Sequence, residues 1–90
     1  MKPLRWTIHA LVALADRDID RAAAERTIAN PERSVTDLPH RTILMRHYFD
    51  AQLGREMLLR VVIEDTPEER VVVTVYKTSR IARYLTRVLP

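Results

Sequence analysis

Cysteine is absent from the 90 residues and glycine occurs once. The first absence excludes a disulfide framework, a thiolate zinc site and a cysteine nucleophile. The second excludes the glycine-rich phosphate loops, so neither a Walker A motif nor a dinucleotide fingerprint can be written in this chain. No apolar run approaches the roughly 18 residues that cross a bilayer, and a membrane-spanning role is not expected. What is present is 47% apolar and 30% charged residues, the balance of a chain that folds. At this length it buries only roughly 60 to 65% of its unfolded surface. A single α+β domain over residues 1–90 with one modest core is expected.

The net charge of +3 is unevenly placed. Residues 1–40 hold six basic and six acidic side chains, whereas residues 41–90 hold nine and six. From Arg70 onward Lys77, Arg80, Arg83 and Arg87 follow with no carboxylate among them. That is a local positive field able to attract phosphate or an acidic protein surface. A solubilising surface is the plainer reading of the same residues.

Lys2, Arg5 and the apolar stretch ending Ala13-Leu14-Ala15 superficially imitate a signal peptide. Ile8, Leu11, Val12 and Ala15 instead fall at helical spacing, so an amphipathic helix starting near Thr7 is the better reading, and a cytoplasmic location is expected. A second helix, capped by Asp18 or Asp20, runs from Arg21 to Ala29 and stops at Asn30-Pro31. Three strand-like runs follow, Thr42 to Asp50, Glu56 to Asp65 and Arg70 to Thr78, with hairpin-length turns at Gln52 to Arg55 and Thr66 to Glu69. Ser34 to Leu38 adds a short edge strand. Ser79 can cap a terminal helix with an apolar stripe of Ile81, Tyr84, Leu85 and Val88 beside Arg80, Arg83 and Arg87. The predicted architecture is two N-terminal helices, an antiparallel meander of three to four strands and a C-terminal helix.

Strand parity suggests one apolar face of Ile43, Met45, Phe49, Met57, Leu59, Val61, Ile63, Val71, Val73 and Val75, covered by the helices. His47 would sit among them as a core histidine. The other face would collect Arg46, Tyr48, Arg60, Thr74, Tyr76 and Thr78 among Leu44, Leu58, Val62 and Val72. Arginines on middle strands commonly stack on a tyrosine or pair with a carboxylate. The functional alternative is a shallow basic aromatic platform, with Arg for phosphates and Tyr for stacking on bases of single-stranded RNA.

His9-Ala10, Arg17-Asp18-Ile19, Asn30-Pro31, Leu59-Arg60-Val61-Val62 and above all Thr74-Val75-Tyr76-Lys77-Thr78-Ser79-Arg80-Ile81 with Tyr84-Leu85 carry a resemblance. They are similar to a family of small bacterial domains of unknown function placed near the RelE/ParE and BrnT toxins. The resemblance implies a RelE/ParE-like fold with a helical N-terminal part on a curved antiparallel sheet. Several related toxins are metal-independent ribonucleases, while ParE-type members target gyrase. The sequence departs from the pattern at Asp18, where a glycine is common, and at Ala13, where a basic residue often lies.

Metal-independent RNA cleavage needs a base for the 2′-hydroxyl, a cation for the phosphorane and an acid for the leaving oxygen. The family-matching base or acid is His9, the phosphate stabiliser Arg60, and Tyr76 or Lys77 would orient substrate or supply a proton. Arg46, Tyr48, Thr74, Arg80 and Arg83 would bind substrate. A backbone-bonded helix histidine is the structural alternative for His9, and a helix cap is the better reading of Ser79. Asp16, Asp18 and Asp20 imitate an EF-hand start, but Arg21 and Thr27 replace its glycine and glutamate, so no metal or other cofactor is expected. Two functions therefore stand: a toxin-like domain acting on RNA, and a non-catalytic module that meets an antitoxin-like protein or a second copy through its basic C-terminal helix.

Overall fold

The computed structural model describes residues 2–85. Five strands, β1 (Leu4–Trp6), β2 (Arg33–Leu38), β3 (Arg41–Asp50), β4 (Arg55–Asp65) and β5 (Arg70–Thr78), build one sheet in the order β1-β5-β4-β3-β2. Helices α1 (Ile8–Asp16) and α2 (Arg21–Ala29) lie between β1 and β2, and a single turn, α3 (Ile81–Tyr84), follows β5. Four of the strands pair antiparallel, while β1 runs parallel to β5, with Leu4, Arg5 and Trp6 opposite Arg70, Val71 and Val72. The fold is α+β, but the expected RelE/ParE-like layout of two leading helices and a pure antiparallel meander is overturned by this mixed five-stranded sheet. A three-residue strand shows no alternation in sequence, and its partner lies more than sixty residues away, so only tertiary folding reveals it.

Local chemistry accounts for the helix boundaries. Thr7 accepts a hydrogen bond from the Ala10 amide at 3.0 Å and donates its hydroxyl to the Val72 carbonyl at 2.9 Å, so one residue caps α1 and ties it to β5. Asp20 caps α2 by accepting from the Ala22 amide, and Asn30 ends it before Pro31. Between the helices Asp18 takes φ 51°, in the left-handed region. This is the position where the resembled family commonly carries glycine, the residue that pays no steric penalty there. Ser79 does not cap the terminal helix: its N-cap is Arg80 without a side-chain bond, and Arg87 and Val88 lie outside the described residues.

Pairing register corrects the expected faces. Residues directly opposite each other share a side of the sheet, and Leu44 pairs with Val61, Arg46 with Leu59, and Tyr48 with Met57. The even positions of β3 therefore join the odd positions of β4. On β5 a register shift inserts Val73, so that Val72 and Val75 both face the helices. The core forms where Ala10, Ala13, Leu14, Ile19, Ala23 and Ala24 meet Leu44, Leu59, Val61, Ile63, Val72 and Val75. Burying one such leucine contributes about 2 kcal/mol. Phe49 is exposed and sits opposite Glu56, and His47 is exposed, with Nδ1 2.8 Å from Glu32, so neither is the core residue that parity suggested.

On α1 the buried side chains are Ala10, Ala13 and Leu14. The stripe whose spacing marked the helix in the sequence, Ile8, Leu11, Val12 and Ala15, points outward. Small alanines let the helix approach the sheet closely, and the larger side chains are left on the far side.

Candidate nucleic-acid interface

The sheet face away from α1 and α2 carries Arg60 on the central strand, directly opposite Tyr76 on β5. Flanking residues of β4 are deeply buried, which holds the arginine stem in place. Its Cζ lies 4.2 Å from the Tyr84 ring centroid and 6.0 Å from that of Tyr76. Arg17, at the C-terminal cap of α1, reaches around the open edge of β5. It donates to the Val75 carbonyl at 3.0 Å and to the Thr74 hydroxyl at 3.5 Å, and its Cζ stands 5.4 Å from the Tyr76 centroid. On the other flank Arg83 lies 5.7 Å from the Tyr84 ring.

These contacts line up as Arg17, Tyr76, Arg60, Tyr84 and Arg83, an alternation of cation and aromatic ring. Arg33 donates to the Tyr84 carbonyl and brings a further cation to the row. Among the described residues none of Arg17, Arg33, Arg60, Arg80 and Arg83 has a carboxylate within ion-pair distance. Arg60 Nε is buried with no hydrogen-bond partner among the described residues. A row of uncompensated guanidinium groups interleaved with phenol rings can hold phosphates and stack on planar groups.

The remaining candidates lie elsewhere. Lys77 faces the helices, donating to Asp50 Oδ2 at 2.8 Å and to the Asp18 carbonyl at 3.1 Å. Tyr48 donates its hydroxyl to the same Asp50 oxygen at 3.2 Å, and the Leu53 amide donates to Oδ1 at 3.0 Å. The Lys77 hydrogen bond, together with that amide, holds the Asp50 carboxyl below its ordinary value. Burial, and then the neighbouring Asp50 charge, push the Tyr48 phenol up. Tyr48 and Asp50 border a cleft of about 460 Å³ with Asp18, Ile19, Arg26 and Phe49. Arg46 donates to the Asn30 carbonyl at 3.0 Å.

His9 is exposed on α1. The proposed cleavage set is thus divided by the sheet: Arg60 and Tyr76 stand on one face, while Lys77 and the helix bearing His9 stand on the other. Likewise the substrate set splits, with Arg46 and Tyr48 on the helix-covered face and Thr74 near the Arg17 end of the row. Arg17 and Tyr84 belong to the row without having been candidates, and Asp50 is the unforeseen anchor of Lys77. For Asp50 the available signal was a lone carboxylate closing an apolar strand. Among the described residues no three His, Asp or Glu side chains come together as metal ligands would.

The family described as Domain of unknown function (DUF4258) matches residues 6–77. No curated protein and no solved structure matches the chain. The family match runs from Trp6, the last residue of β1, through most of β5 and therefore includes Arg17, Arg60 and Tyr76 but stops before Tyr84 and Arg83.

Proposed function

We propose that this chain, which belongs to the DUF4258 family of domains of unknown function, binds single-stranded RNA along its arginine and tyrosine row. The observation that carries the reading is the alternation of Arg17, Tyr76, Arg60, Tyr84 and Arg83, without carboxylate partners among the described residues. Guanidinium groups meet phosphates, and the exposed ring of Tyr76 gives a base a surface to stack on. Cleavage is no part of the proposal, since neither His9 nor Lys77 shares a face with Arg60.

Fluorescence anisotropy with a labelled single-stranded oligouridylate at low salt tests it. Binding is expected, weakened about tenfold by Tyr76→Ala, because base stacking on an aromatic side chain contributes about 1 to 3 kcal/mol. The same RNA incubated with protein and excess chelator should stay intact. Absence of binding at low salt, or binding indifferent to both Tyr76→Ala and Arg60→Ala, would refute the assignment.

A further inference from the structure

Helix α1 reads Ile-His-Ala-Leu-Val-Ala-Leu-Ala-Asp, with His9 and Asp16 as its only polar side chains. A helix apolar on most of its circumference is ordinarily buried on most of it. Here the described residues cover only one side: Ile8 is 81% exposed, Leu11 41% and Val12 49%. At about 100° per residue, Ile8, Val12 and Ala15 fall within about 60° of one another, opposite the buried Ala10, Ala13 and Leu14. Leu11 borders this stripe on one flank, and His9 and Asp16 share the other.

We propose that a second copy of this chain covers the stripe, the two α1 helices pairing antiparallel about a two-fold axis near Val12. The pattern is self-complementary about that axis. Reversing the helix sets bulky Ile8 beside the small Ala15 end of the other copy, and Val12 meets Val12. A two-fold axis lying in the interface keeps like flanks together, so the two polar flanks coincide with their directions reversed. Each His9 then stands next to the opposing Asp16, pairing a side chain that can carry positive charge with a negative one. No charged group lies within the stripe itself, as the core of an isologous homodimer requires. One nine-residue helix per copy is a small contact, so the association is weak and concentration-dependent. It uses none of the arginine and tyrosine row and is independent of the RNA reading.

Sedimentation equilibrium of the full chain from about 10 μM to about 1 mM is the test. The wild-type mass should rise toward the dimer across this range, and Val12→Lys, which sets two like charges against each other at the axis, should remain monomeric. Because Val12 is exposed, the variant's far-UV circular dichroism and thermal midpoint should match wild type. His9→Asp should weaken association at least about threefold by opposing two carboxylates, and adding Asp16→His to it should restore it. A wild-type chain that stays monomeric to the top of the range overturns the proposal. So does a dimer unmoved by Val12→Lys, or one in which the reversed charge pair fails to restore what His9→Asp lost.

Discussion

Salt dependence offers the sharpest test of the arginine and tyrosine row. Each phosphate neutralised on a single strand contributes about −0.7 to the slope of log affinity against log salt. The three arginines that stack on the rings of the row, Arg17, Arg60 and Arg83, would give a slope of about −2. Raising salt fourfold, from about 50 to about 200 mM, should then weaken binding about 20-fold. Removing one cation by Arg60→Ala should lower the slope to about −1.4 and the loss to about sevenfold. Arg21→Ala is the control, because that guanidinium stacks 4.7 Å from Trp6 and pairs with Glu25, away from the row. Anisotropy titrations at four or more salt concentrations, with circular dichroism to verify folding, supply the slopes. An Arg60→Ala slope equal to wild type, or an equal reduction by Arg21→Ala, would refute the assignment of phosphate contacts to this row.

Further expectations concern stability and can be read from urea unfolding. Leu59 is fully buried in the helix-covered core, and Leu59→Ala should cost about 3 kcal/mol; a loss below about 1 kcal/mol would contradict its central position. Asp18 holds a left-handed backbone and contributes its carbonyl to Lys77, so Asp18→Gly should preserve or raise the unfolding midpoint, and a clear fall would show that its side chain is needed. Gly54, at φ 66°, has open space where a side chain would go, so Gly54→Ala should destabilise through backbone conformation alone, by about 1 kcal/mol, and a neutral result would count against that backbone. Asp50, Asp65 and Glu69 are held below their ordinary values chiefly by hydrogen bonds from Lys77, Lys2 and Arg5. With folded-state values below the unfolded ones, the unfolded chain binds more protons in acid, so this stability is complete above about pH 4 to 5 and lost as pH falls below it. Lys77→Met should make that acid loss shallower, and an unchanged acid profile would mean that the pair does not hold Asp50 ionised.

Much of the local structure was legible because local chemistry decides it. Asp20 and Asn30-Pro31 bound the second helix through hydrogen bonds and steric limits contained within a few residues. Turn residues and β-branched runs likewise marked strands close to β3, β4 and β5. Register was not legible, and one residue of slip between β3 and β4 moved Arg46 and Tyr48 to the opposite face from Arg60 and Tyr76. The inserted Val73 repeated the effect on β5. Helical spacing identified the outward stripe of α1 but not its direction, since Ala10, Ala13 and Leu14 form an equally continuous apolar face.

For the site, the sequence placed a basic, aromatic segment at the end of the chain and singled out Arg60 and Tyr76. Only the folded sheet brought Arg17 and Tyr84 to them, from positions far away in the chain. Composition, caps and turns act through neighbouring atoms, and the sequence by itself determined them. Strand pairing, the parallel β1 and the ordering of cations and rings depend on contacts between distant residues. Those belong to the tertiary structure, because a side chain's face and partners are set only when its strand finds its register.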